Sequence, residues 1–162
     1  MRRAGITVNG RFVEIDGAPP QQTLQEFIRG SAALTGTAGA CGHGVCGACT
    51  VLLDGEPVRS CLVLSRSTAG REVVTVEGLE LLEPDLASSL REAFLAGNAF
   101  QCGYCTSGML MLTFWWLRTT PPEARTRVDV EALLESNLCR CTGYTPLLET
   151  ILSFAKTGGR GR

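Results

Sequence analysis

Eight cysteines stand against a single histidine in this chain of 162 residues, and they fall into two sets of four. In the first half, Cys41, Cys46 and Cys49 follow a C-x4-C-x2-C spacing, with Cys61 further on. This is the plant-type arrangement for a 2Fe-2S cluster, in which two tetrahedral irons, bridged by two sulfides, each take two thiolates. Turning three sulfurs inward within so short a loop demands a backbone that coils tightly, and Gly42, Gly44 and Gly47 supply it. Backbone N–H groups of such a loop can then face the cluster and offset part of its negative charge. In the second half, Cys102-x2-Cys105 falls at the start of an apolar helix, and Cys139-x-Cys141 is expected to end the next one. Two such pairs meet when their helices pack, and a helix N-terminus favours thiolate over thiol. Spacing alone leaves this second set open between zinc and a second iron–sulfur cluster.

The count of one histidine excludes a Rieske centre, which needs two. A His-dependent triad would have only His43 to use, inside a crowded cysteine loop, so nucleophilic catalysis is not expected. His43 itself reads as a solvated loop residue, with a hydrogen bond that tunes the cluster as the other reading. Gly42-x-Gly44-x-x-Gly47 satisfies a dinucleotide fingerprint, but it neither follows a clear strand nor opens a helix, and cysteines interleave it. Disulfides are disfavoured, since eight cysteines are about 5% of the chain, below the 8–10% of disulfide scaffolds.

Composition narrows the partners. A net charge of −1 argues against a broad grip on nucleic acid. Charged residues make up 19% of the chain, below the roughly 25% of typical domains, which implies that partner chains cover part of the surface. The first ten residues hold two arginines and no apolar h-region, so a cytoplasmic location is expected. The longest apolar stretch, Met109 to Leu117, is about half a membrane span.

The elements that must position the thiols change texture near residue 80. Residues 1–80 read as strands around one short helix. Asn9-Gly10 and Asp54-Gly55 mark two hairpins, the second between apolar runs 48–53 and 58–64, so that Cys61 arrives on a strand. Thr23 and Glu26 form a capping box ahead of Phe27 and Ile28, and Val73–Val76 makes another strand. Residues 81–157 carry helical periodicity. Leu86, Ala87, Leu90, Ala93 and Phe94 form one stripe, and Met109–Leu117 a buried helix. Val130, Leu133, Leu134 and Leu138 form a third stripe with Asp129 as N-cap, and Leu147, Leu148, Ile151 and Phe154 a fourth. Of Trp115 and Trp116, adjacent on their helix, one is expected in the core. Residues 158–162 read as a disordered tail. The fold class is α+β, a small strand-rich unit followed by a four-helix bundle.

Three strings extend the reading: Ala40 to Val51, Gln101 to Met109 and Asn137 to Tyr144. Together they resemble the iron–sulfur subunit of the molybdenum hydroxylases, the family of xanthine dehydrogenase, aldehyde oxidoreductase and carbon monoxide dehydrogenase. The resemblance covers residues 5 to 155 and implies a plant-ferredoxin-like β-grasp domain before the four-helix domain. It implies one 2Fe-2S cluster on Cys41, Cys46, Cys49 and Cys61, and another on Cys102, Cys105, Cys139 and Cys141. Partner subunits would hold a molybdenum cofactor and FAD, in a dimer of heterotrimers. By the same resemblance Gln101 and Cys141 approach the pterin of the molybdenum cofactor, so the second cluster is the near acceptor and the first hands electrons to FAD. Two residues depart from the family pattern. Ser107 stands where relatives commonly have proline, and is expected to cap the helix there; Ala38 stands where they commonly have lysine.

Two function classes follow. One is a fixed electron-transfer subunit with no substrate chemistry of its own. The other is a free redox carrier, or an interaction module stabilised by metal in four-cysteine sites. Low charge content fits permanent burial in a complex better than a diffusing carrier, which needs a charged docking face.

Overall fold

Tight turns organise the first half of the chain. The computed structural model describes residues 4–157, so the tail 158–162 lies outside the described residues. Asn9 and Gly10 both take positive φ, 48° and 75°, the geometry of a two-residue hairpin turn. They join β1 (Gly5–Val8) to β2 (Arg11–Glu14), with Ile6 opposite Val13. Asp54 and Gly55 repeat the device, φ 51° and 87°, between β3 (Thr50–Leu53) and β4 (Glu56–Arg59). β5 (Glu72–Val74) runs parallel to β1 and antiparallel to β3, giving the order β2-β1-β5-β3-β4. α1 (Leu24–Gly30) opens on the capping box: the Glu26 N–H donates to Thr23 Oγ1 at 3.2 Å, and the Thr23 N–H to the Glu26 carboxylate at 2.8 Å.

Alternation along the central strands joins the two halves. Ile6, Val8, Val51, Leu53 and Val73 pack with Leu24, Phe27 and Ile28 of α1. Leu52 and Val74 point to the opposite face and belong to the helical core. All four residues of β3 are therefore buried, which explains an apolar run without polar alternation.

The second half contains α2 (Leu79–Leu82), α3 (Pro84–Ala96), α4 (Thr106–Thr119), α5 (Arg127–Glu135) and α6 (Thr145–Lys156). α4 is buried on nearly every side, with Met111 and Phe114 fully buried in a core that also holds Leu90, Phe94, Val130, Leu147 and Ile151. Trp116 is in the core, and Trp115 packs against it half-buried. A mixed sheet with a helix on one face and a helical bundle on the other meets the α+β expectation. No helix among the described residues is long and apolar enough to cross a membrane.

Several local expectations are corrected. The run 58–64 stays extended only to Arg59, and Ser60–Leu62 is a 3-10 turn. β5 ends at Val74, and Val76 begins another such turn. The N-cap of α5 is Thr126, not Asp129; Asp129 is the third helical residue and completes a capping box with it. Leu138 lies beyond that helix and is 54% exposed, so it is no part of the third stripe.

Candidate metal centres

The loop before β3 coils around its own sulfurs. Gly42, Gly44 and Gly47 all take positive φ, between 70° and 81°, where side chains are strained. At Gly47 a Cβ would also meet the buried Asn137 amide at 1.7 Å and the Ser136 carbonyl oxygen at 2.8 Å, so space as well as backbone freedom demands glycine there. The resulting coil aims N–H groups at sulfur. Those of Cys46, His43 and Val45 face Cys41 Sγ, the first at 3.5 Å, and the Gly44 N–H faces Cys61. These donors hold the Cys41 thiol down at about 6. Cys61 arrives not on a strand but in the 3-10 turn after β4, where it meets Cys49; burial first, then that neighbour, pushes it up to about 11. His43 is exposed, and its Nδ1 lies 2.6 Å from the Cys41 carbonyl oxygen.

The second set converges between helix ends. Cys105 is the N-cap residue of α4, but Cys139 and Cys141 do not end α5; they stand in the loop beyond Glu135. The Cys141 thiol donates to Cys102 Sγ at 3.4 Å, which raises Cys141 above the ordinary thiol range. The Tyr104 N–H, followed by Cys141, holds Cys102 below that range. Cys105 is buried against Cys139 and is pushed up to about 12, chiefly by desolvation. Burial also pushes Cys139 up, but the hydroxyl and N–H of Thr142 outweigh it and the net direction is down.

All eight thiols are free. Their nearest thiol partners are Cys41 with Cys46, Cys49 with Cys61, Cys102 with Cys141, and Cys105 with Cys139, and weaker electrostatic contacts of Cys61 with Cys41 and of Cys105 with Cys102 gather each set of four. Among the described residues, no three His, Cys, Asp or Glu side chains close around a single ion. Two pairs per site fit a diiron core, where each iron takes two thiolates. The donor set, the inward N–H groups and the glycine coil fit such a group. Metal binding would displace the protons that the raised thiols hold.

A seam joins the two sites, and spacing arguments missed it. The Leu138 N–H donates to the Cys46 carbonyl at 2.9 Å. Asn137 is fully buried; its amide accepts from the Met109 N–H and donates to the Ser136 carbonyl, each at 3.0 Å. A Cβ on Gly108 would fall 2.3 Å from the Gly47 carbonyl oxygen, so α4 rests directly on the first loop. Ser107 does not cap α4, whose N-cap is Cys105; its hydroxyl donates to the Ala48 carbonyl at 3.4 Å. The Tyr104 hydroxyl donates to Gly39, and the Arg59 guanidinium to Thr50 Oγ1 and the Ser136 carbonyl. Asn137 is a polar residue two positions before Cys139, and only its burial in the fold shows that its amide must find partners. Gln101 is exposed beside Cys102, and Cys141 is exposed as well.

Comparison with known proteins agrees with this geometry. Residues 6–79 match the family described as a 2Fe-2S iron-sulfur cluster binding domain, and residues 75–152 that described as a 2Fe-2S binding domain. The chain is 44% identical over 149 residues to the nicotine 6-hydroxylase small subunit of Paenarthrobacter nicotinovorans, covering 91% of this chain and 86% of that one. It is 37% identical over 151 residues to the xanthine dehydrogenase iron-sulfur-binding subunit of Escherichia coli, covering 93% and 92%. Quinoline 2-oxidoreductase from Pseudomonas putida 86 contains a chain that superposes with a TM-score of 0.81 at 36% identity, over 98% of both.

Proposed function

The chain belongs to the iron–sulfur subunits of the molybdenum hydroxylases, and from that premise we propose how its residues serve electron transfer. It is an electron-transfer subunit with two 2Fe-2S binding domains, and it works within a multi-subunit oxidoreductase. Cys41, Cys46, Cys49 and Cys61 hold one cluster, and Cys102, Cys105, Cys139 and Cys141 the other. When bound, each cluster takes up and releases one electron at a time. The thiols set where those electrons rest, the glycine coil excludes side chains from the first site, and the seam fixes the spacing of the two.

We assign the direction of transfer from a large molybdenum-cofactor subunit, through this chain, to a medium FAD subunit. Gln101 and Cys141 face the molybdenum-cofactor pterin in this reading, and their shared exposure beside the second site supports it. The assembly is a heterotrimer or its dimer, placed in the cytoplasm. The observation that carries the whole reading is the convergence of eight free thiols into two separate fours.

Purification together with the co-encoded neighbours tests it. The expected result is co-elution with two larger chains, about four irons and four sulfides per copy, and two distinct paramagnetic signals on reduction. Cys102→Ser should remove one signal and stop electrons reaching flavin, with flavin chemistry intact. Zinc in place of iron, or a stable monomer with one signal, would overturn the reading.

A further inference from the structure

Beyond the cysteines themselves, the Thr142 side chain, among the described residues, touches a cysteine sulfur with its hydroxyl. Thr142 Oγ1 lies 3.1 Å from Cys139 Sγ, and the same oxygen accepts the Tyr144 N–H at 3.2 Å. Tyr144 is held in turn. Its hydroxyl accepts the Cys139 N–H at 2.9 Å and donates to the Asn137 carbonyl at 3.1 Å, while its backbone sits at φ 68°. The Tyr144 carbonyl also receives the Leu148 N–H at 2.9 Å, which ties this turn to α6. The threonine hydroxyl is thus fixed between a donor and a sulfur.

Which atom supplies the proton follows from this arrangement. A sulfur bound to iron carries no hydrogen, and a hydroxyl that already accepts from an amide still has its own proton to give. From this we propose that Thr142 donates an O–H···S hydrogen bond to Cys139 and so raises the reduction potential of the second cluster. The inference rests on the two-cluster reading above. Reduction adds negative charge to a cluster, and a donor on a ligand sulfur stabilises that charge more than it stabilises the oxidised state. The donors on the first set's Cys41 and Cys61 are, by contrast, backbone N–H groups from Cys46, His43, Val45 and Gly44. Thr142 therefore gives the two sites unlike surroundings, and it acts through Cys139 as a tuning residue.

Redox titration of the assembled complex, followed by the two paramagnetic signals, tests the proposal. The signal lost in Cys102→Ser identifies the second cluster. Thr142→Val, close in volume, should lower the midpoint of that signal by up to about 59 mV, the shift that a tenfold change represents for a one-electron couple. The first signal should hold its midpoint, and Thr142→Ser should restore the second. An unchanged midpoint in a fully loaded Thr142→Val complex overturns the proposal, as does an equal shift in Thr142→Ser. Should Thr142→Val fail to load, heavy water decides on the unaltered complex. A hydroxyl proton exchanges within mixing time, so an immediate shift in the second cluster's Fe–S stretching bands supports the bond, and none overturns it. Failure of the two-cluster reading is distinguishable, because iron or one signal would then be missing before any substitution.

Discussion

The Leu138 N–H donates to the Cys46 carbonyl at 2.9 Å, so the residue before one thiol of the second set is bonded to a thiol-bearing residue of the first. The two sites are consequently one construction. Gly47, Gly108 and the buried Asn137 meet beside that bond, each occupying space that a side chain on its neighbour would need.

Gly108→Ala probes this contact most directly. The new methyl would lie 2.3 Å from the Gly47 carbonyl oxygen and 2.7 Å from the Asn137 amide, and backbone cannot yield as a flexible side chain does. Alanine is otherwise the better helix former, so propensity alone predicts a gain. Steric conflict should win, with a loss of about 1–3 kcal/mol. Thermal unfolding of the loaded chain measures it, and an unchanged or raised midpoint would show that α4 does not rest on the first loop.

Asn137→Ala tests the polar side of the seam. Removing the amide deprives the Ser136 carbonyl of one donor and the Met109 N–H of one acceptor in a fully buried setting. The Met109 N–H keeps its helical bond to Cys105 at 3.0 Å, so the carbonyl and the vacated volume dominate. A loss of about 1–3 kcal/mol is expected in denaturant unfolding. An Asn137→Ala midpoint equal to the parent would mean that the amide is idle.

The glycine coil between the first cysteines was legible in the sequence because turning three sulfurs inward over so few residues is a local demand, and Gly42, Gly44 and Gly47 take the positive φ it requires. Hairpins were equally legible, since Asn9-Gly10 and Asp54-Gly55 permit the positive φ that their turns require. Partners distant along the chain were not. Arg59 reaches Ser136 across 77 residues, and Tyr104 reaches Gly39 across 65, and no periodicity announces such pairs. Asp129 was misplaced for a different reason. Aspartate suits an N-cap as well as the third helical position, and only the hydrogen bonds to Thr126 separate the two roles.

Thr126→Ala checks that corrected boundary. The Thr126 hydroxyl receives the Asp129 N–H at 3.3 Å and donates to its carboxylate at 2.6 Å. Losing the cap should reduce stability by about 1 kcal/mol. Asp129→Ala should show a similar loss if the box is reciprocal, and the double variant should fall short of additivity. Strict additivity in denaturant unfolding would mean that the two residues act separately.

Acid dependence should appear at the second hairpin. The Asp54 carboxylate receives the Glu72 N–H at 2.8 Å and Arg71 Nε at 2.6 Å, and these contacts, the amide first, hold it below the ordinary range. Its folded-state pKa is thus lower than its unfolded value of about 3.9, so its stabilisation is present above that value and lost as pH falls through the folded pKa. Asparagine tolerates the positive φ at this position and keeps an acceptor, so Asp54→Asn isolates the charge. The parent's advantage should be level from pH 7 to about pH 5 and close below about pH 4. A gap that ignores pH in denaturant titrations would assign the effect to something other than ionisation.

Iron removal should loosen the loops and spare the scaffold. Leu90, Phe94, Met111, Phe114 and Ile151 belong to an apolar core that Cys139 touches only as a partly buried neighbour, and α1 closes on Ile6, Val51 and Val73 in a second core. The cysteine loop has no such core. Gly42, His43 and Val45 are exposed, and the coil holds together through N–H groups aimed at sulfur. A ligand that binds only the folded state adds stability in proportion to the logarithm of one plus its free concentration over its dissociation constant, so chelation should lower the melting temperature. Far-UV circular dichroism should stay close to that of the loaded chain, while limited proteolysis cuts first between residues 40 and 48. Collapse of the helical signal on chelation would mean that the clusters, rather than the apolar cores, hold the helices in place.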